Sequence, residues 1–372
     1  MLTPEYIDHA PDELVELYRQ AEDDILRDMA KRISSADLYI SSTQWQERKL
    51  QAMGMTHKEI VRRLAALTRK TNAEIEAIIS DAGARALSLD ADVMPTYKGL
   101  AISTAPWVQS LIVTGIARTQ GTFRNLTLTA AQTATGQFER ALDRAYMQVS
   151  TGAFAQDKAI IMAVKDLCSH GIEAITYPTG RKEYIDVAVR RSIITGLNQT
   201  AGEVADRLAK ELDYDLVEVS AHAGARPSHA KWQGKVYSRK GKTEKYEDFY
   251  TATGYGTGAG LCGWNCRHSF SAYQEGQARA YTPEMLAKFE AKDYSYNGKA
   301  MTEYEATQQQ RYIERQIRRY KREAIATRDI EQDAEAAEAK VHEWQKRLTD
   351  FCRQTGLKKS FPRAVVPGYG RD

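Results

Sequence analysis

The sequence predicts a mainly α-helical protein carrying one small α+β domain. Three observations lead there. Apolar residues recur at three- and four-residue steps over most of the chain. Two-residue alternation is confined to short runs between Ile172 and Tyr281. From Glu303 to about Thr355 the chain is highly charged and nearly free of Gly and Pro. The expected order is an N-terminal helical region (1–90), a second helical region (91–171), an α+β unit with short strands (172–282), and a long charged helix with an extended basic tail (283–372).

In the first region, Leu14, Leu17, Tyr18, Ala21, Ile25, Met29 and Ile33 make an amphipathic helix of Pro11–Ser34. Thr43 to Met53 reads as a second helix. Thr56-His-Lys-Glu59 and Thr71-Asn-Ala-Glu74 have the spacing of capping boxes, so two further helices are expected to start there. Pro95 and Pro106 punctuate the second region, with helices expected over Trp107–Arg118, Leu128–Thr151 and Ala153–His170. Its threonines (Thr122, Thr127, Thr129, Thr133, Thr135) read as caps and helix-surface packing. The apolar run Ile102–Ala117 is too short and too interrupted to span a bilayer.

Ile172–Tyr177 alternates like a strand, and Pro178-Thr-Gly180-Arg-Lys is a turn. Ile185 to Leu212 carries one apolar stripe and is a helix. Leu216–Val219, Val236–Tyr237 and His268–Tyr273 are expected strands, Tyr246–Ala252 a helical turn, and Gly254–Gly260 a flexible loop. In the last helix the step from Thr327 to Ile330 breaks the three-four alternation and would shift the seam. About 50 helical residues would extend roughly 75 Å. Such a helix needs a partner, either another subunit or the chain's own N-terminal helices.

The net charge of +3 is too small to identify a nucleic-acid binder. Basic clusters at Arg311–Arg322 and Lys358–Arg363 are the places for DNA contact. Four scattered cysteines are not a disulfide framework, which points to a reducing compartment. Met-Leu-Thr-Pro-Glu-Tyr has neither basic nor apolar signal-peptide character, so none is expected.

Unusual chemistry is concentrated in Ser220–His268, which holds three of the seven histidines and two of the four cysteines. As a metal site it offers His222, His229, Cys262, Cys266 and His268, and thiolate with imidazole is the set zinc prefers. As an enzyme it would be a metal-dependent nuclease with a histidine base, or a thiol activated at Cys266. No acidic residue stands where such a nuclease needs one, and no catalytic residue is assigned. As a structural element it is a polar knot. Arg226, Gln233 and Asn265 satisfy buried loop groups there, and Trp232 and Trp264 cover them.

The string Ser220-x-His222-x-Gly224-x-Arg226-Pro227-x-His229-x-x-Trp232-Gln233-Gly234 follows a helix bearing Arg190-Arg191 and precedes Gly263-x-Asn265-Cys266-Arg267-His268. Together these resemble the phage minor capsid protein 2 family, which is similar in outline to the Mu F-like head morphogenesis proteins. Arg226, Trp232, Gln233, Gly234, Gly263, Asn265 and Arg267 are the structural signature. The resemblance implies a structural head-morphogenesis protein of a tailed phage or prophage, acting in procapsid assembly at or near the portal. It implies the portal and the major capsid or scaffolding proteins as partners; self-association through the C-terminal helix is instead the expectation from that helix's length. The location would be the virion head, after a stage in the host cytoplasm. No enzymatic activity comes with it. The alternative is a virion-associated metal-dependent nuclease or other metal-site enzyme.

Overall fold

The computed structural model describes residues 1–93, 105–176, 179, 180 and 182–370. Pro95, the start of the apolar run at Ile102, and Tyr177, Pro178 and Arg181 of the expected turn lie outside them. The protein is mainly helical, with a few short strands and a long C-terminal helical stretch, as its periodicity predicts. Its contacts separate two compact units. The first is Met1–Leu14, Lys70–Phe123 and Val189–Thr307; the second is Val15–Arg69, Arg124–Ala188 and Gln308–Asp372. Each unit is thus built from three separated pieces of chain.

Two long helices replace several expected short ones. α1 (Pro4–His9) and α2 (Asp12–Ser34) are followed by α3, a single 52-residue helix, Ser42–Val93. Neither capping box caps anything. Thr56 and Thr71 are buried inside α3 with hydroxyls that find no partner, and Glu59 turns to Arg62 and Arg63. The reason is burial: Ile60, Leu64, Ile75 and Ile79 continue one apolar stripe through both motifs, and packing overrides the local stop signal. α4 likewise runs unbroken over Pro106–Ser150. Its threonines are not caps: Thr122, Thr129, Thr133 and Thr135 each donate a hydroxyl to the carbonyl four residues back.

The first unit holds the α+β part. α6 (Ile185–Glu211) gives it most of its length, and β3 (Leu216–Val219) follows. β3 pairs antiparallel with β4 (Val236–Ser238) and with β6 (Phe270–Ala272), while β5 (Glu247–Asp248) adds to β4 in parallel. The sheet order is β5-β4-β3-β6. Val217, opposite Tyr237 and Ala272, lies at its buried centre. Glu218 is buried too. Its carboxylate accepts from Arg279 and from the backbone N–H of Ala280, tying the chain beyond β6 to the sheet. In this unit α4 and α6 meet at reciprocal small residues: Gly115 faces Thr200, and Gly196 faces Thr119. α9 (Pro283–Glu290) and the β7–β8 hairpin (Tyr294–Tyr296, Lys299–Met301) also belong here; the sequence pattern did not predict them.

The second unit contains α5 (Gln156–His170), the β1–β2 hairpin (Glu173–Thr176, Lys182–Tyr184) and the C-terminal helices. The expected continuous helix is divided into α10 (Glu303–Asp329) and α11 (Glu335–Thr355), at the place where the apolar spacing changes. The divide is a Schellman cap. Glu331 N–H donates to Arg328 O at 2.9 Å and Gln332 N–H to Thr327 O at 3.0 Å, with Glu331 at φ 57°. Ile313, Ile317, Val341, Leu348 and Phe351 are buried within the chain.

Charge is buried here as well. Asp186 lies 2.8 Å from Arg318 and 3.3 Å from Arg19; Arg322 pairs with Glu22 and, at 2.6 Å, with Asp23. Burial alone would push the Asp186 carboxyl up. The charges of Arg318, Arg19 and Arg322 outweigh that and hold it well below the ordinary carboxylate range. Its contribution is therefore present above the unfolded carboxylate value of about 3.9 and fades only as pH falls through the lower folded value.

Two outcomes follow. Asp186→Asn leaves the buried Arg318 and the partly buried Arg19 short of a counter-charge and is expected to lower stability by about 3–5 kcal/mol; an unchanged thermal unfolding midpoint would mean that the cluster is dispensable. Glu331→Gly removes the side-chain penalty of the left-handed cap and is expected to stabilise by about 1 kcal/mol. Thermal unfolding of the two chains side by side reads both.

Candidate functional site

β3 delivers the chain into the loop that begins at Ser220. Ser220 N–H donates to Ser269 O at 2.8 Å, and Ser269 N–H returns to Ser220 Oγ at 2.9 Å, so the start and end of the stretch are stitched together. Extended Arg226 and Pro227 at the first helical position start the short α7 (Pro227–Ala230). That turn rolls His229 inward, to 1% exposure. Trp232 is buried over the site, its ring centred 4.5 Å from the His229 ring and 4.8 Å from the His268 ring.

The second half arrives by a different route. After α8 (Phe249–Thr253), the glycine segment expected to be flexible is folded into successive turns. Gly260 N–H donates to Thr257 O, Gly263 N–H to Gly260 O, Trp264 N–H to Gly258 O and Cys266 N–H to Gly263 O. A side chain at Gly263 would collide with the carbonyls of Thr257 and Gly258, which is why the turns close only around a glycine. Residues 266–268 are not in a strand, since β6 begins at Phe270; even so, Cys266 and His268 meet.

Three of the five candidate ligands converge. His229 Nδ1 and His268 Nδ1 are 3.4 Å apart, and Cys266 Sγ is 3.6 Å from each. All three residues are buried, and no carboxylate joins them among the described residues. The other two candidates sit at the edge. His222 Nδ1 is 2.7 Å from Ala223 O, and its ring lies 4.6 Å from that of His268. The Cys262 thiol is buried at 3.7 Å from His268 O. Burial pushes the His222 and His229 imidazoles down to about 4 and His268 well below its usual value, while it lifts the Cys266 thiol to about 11. At neutral pH this is a set of uncharged imidazoles and a thiol.

The signature residues frame the cluster. Arg226 Nη2 donates to Trp264 O at 3.1 Å, bridging the two halves. Gln233 Oε1 accepts from His222 N–H and lies 3.0 Å from His268 Nε2. Gly234 takes a left-handed φ of 63° after Gln233. Arg267 and Arg190 both reach the Asp8 carboxylate, at 3.1 and 2.6 Å. Two expectations fail. Trp264 is 57% exposed: its backbone is committed to the turn at Gly258, and its indole lies against Gly258 with its other side in solvent instead of capping the histidines. Asn265 is exposed in a left-handed conformation; its backbone N–H, not its amide, makes the contact, to Thr195 Oγ1.

The residue the sequence hid is Asn198 on α6. Fully buried, it donates from one amide nitrogen to Cys266 O at 3.0 Å and to His268 O at 2.8 Å. The one available signal was a polar residue in register with buried Ile194, inside an otherwise apolar helix face.

The sequence matches the family described as phage minor capsid protein 2 over residues 2–353. The chain belongs to that family. As a minor capsid protein it is a structural protein of the phage head, as the signature string implied. A protein of Lactococcus phage LL-H named structural protein is 27% identical over 199 residues, 52% of this chain and 51% of the relative; the matched part thus spans about half of that protein's length. No solved structure matches.

Asn198→Ala strips two buried carbonyls of their donor and is expected to cost about 2–4 kcal/mol. The check is the thermal unfolding midpoint; no shift would show that the Cys266–His268 segment is held without α6.

Proposed function

We propose that this minor capsid protein is a low-copy assembly component of a tailed-phage head that acts during procapsid assembly at or near the portal, with portal, major capsid or scaffolding protein as its contact. The observation that carries this reading is the family match over almost the whole chain. The geometry supports an assembly role in kind. The signature residues serve as frame, bridge and ion pair, and the His–Cys cluster they enclose is sealed: His229, Cys266 and His268 are each 1% exposed. A nuclease needs its metal and base open to a phosphodiester, and these atoms are not. No helix among the described residues is long and apolar enough to cross a membrane.

The basic run Arg311–Arg322 is a weak DNA surface on this reading. Arg318 and Arg322 are buried and already paired with Asp186, Glu22 and Asp23. Lys358–Arg363 is the basic segment left for a DNA or protein partner.

A tagged chain expressed during phage growth is expected to sediment with procapsids and to co-purify with portal protein. Deleting its gene is expected to reduce DNA-filled, infectious particles by at least about ten-fold. Normal particle yield and infectivity from the deletion strain would reject the assembly role. Digestion of DNA or RNA by the purified chain with divalent metals, abolished in His229→Ala, would favour the nuclease instead.

A further inference from the structure

We infer that His229, Cys266 and His268 form a structural zinc site that locks the two halves of the signature stretch together. The argument starts from where the hydrogens are. The His222 backbone N–H can only donate, so the Gln233 atom it meets at 3.1 Å is the amide oxygen. That same oxygen lies 3.0 Å from His268 Nε2, which therefore carries its ring hydrogen there. The carbonyl of Ala259, 3.0 Å from His229 Nε2, fixes the hydrogen of the second ring in the same way. A neutral imidazole has one such hydrogen. Both Nδ1 atoms are then bare lone pairs, 3.4 Å apart in a buried setting, with Cys266 Sγ beside them. The thiol hydrogen can serve only one of them. A single cation between the three atoms satisfies all at once.

The spacing fits zinc. Zinc–nitrogen bonds of about 2.05 Å and zinc–sulfur bonds of about 2.3 Å give tetrahedral edges of ~3.4 Å for N···N and ~3.6 Å for N···S. The edges here are 3.4 Å between the nitrogens and 3.6 Å from the sulfur to each of them. The three donors thus lie as one face of a zinc tetrahedron. Two imidazoles and a thiolate suit zinc and not magnesium or calcium, which take oxygen ligands. Gln233 and Ala259 supply the outer hydrogen bonds that orient ligating imidazoles. Burial of all three donors makes the ion a staple between His229 and His268, 39 residues apart. On binding, the Cys266 thiol becomes a thiolate and its proton leaves to the buffer.

The test is elemental analysis of the full chain, expressed with zinc and purified without chelator. About one zinc per chain is expected for wild type, falling at least ten-fold in Cys266→Ser and His268→Asn. Gln233→Ala keeps the ligands but loses an orienting bond, so it is expected to bind zinc about 10–100-fold more weakly. Should the ligand variants fail to fold, wild type still decides. Replacing zinc with cobalt(II) is expected to give tetrahedral visible bands and a thiolate-to-cobalt band in the near ultraviolet. Wild-type chain without stoichiometric zinc, a cobalt complex lacking the thiolate band, or undiminished zinc in Cys266→Ser would each overturn the site.

Discussion

A loop buried without regular secondary structure must still find a partner for every backbone polar group, and the α+β unit is built around that demand. Within the segment from Gly254 to His268, residues 260–263, Cys266 and His268 are buried, with only a three-residue strand to follow them. The segment's carbonyls and N–H groups are met by its own turns, by Arg226 and by Asn198. Asn198 matters most because it is the contact by which α6 holds the carbonyls on either side of Arg267. The same two linkages set the side chains of Cys266 and His268 against His229. The His–Cys cluster is thus a consequence of how the loop is satisfied.

The second unit solves a different problem with charge. Buried arginines are costly unless paired, yet Arg318 and Arg322 lie in a helix whose apolar stripe is also buried. They are paired across the unit, to Asp186 and to Glu22 and Asp23, residues distant in sequence. A hydrophobic stripe alone tolerates sliding by a turn. Buried ion pairs at fixed positions do not, so they set the register of α10 within its unit. The run that reads as a DNA-binding surface is in part an internal clamp.

Much of the fold was legible because it rests on periodicity. β3 and α6 fall where alternation and the apolar stripe place them, and the seam shift after Thr327 marks the α10–α11 divide. What was not legible has physical causes. Thr56-x-x-Glu59 looks like a helix start, but the apolar residues on both sides are buried together and the helix runs through. The Schellman cap went unseen because its left-handed residue is Glu331 and not glycine. Cys266 and His268 stand two apart in sequence, but they meet outside any strand. Their meeting with His229 depends on the turns around Gly263, which no spacing encodes. Asn198 acts on the site from 68 residues away.

Each signature residue that makes a contact does so for geometry. Gln233 joins His222 to His268, Arg226 joins α7 to the turn at Trp264, Arg267 shares Asp8 with Arg190, and Gly263 leaves room for two carbonyls. None points a reactive group at solvent. The contacts of Gln233, Arg226 and Gly263 turn inward, onto the cluster they surround. A string of that kind specifies a local shape, held by contacts between its two halves. The exposed Trp264 fits that view: its backbone carbonyl is gripped by Arg226 and its N–H by Gly258, while its indole is left outside.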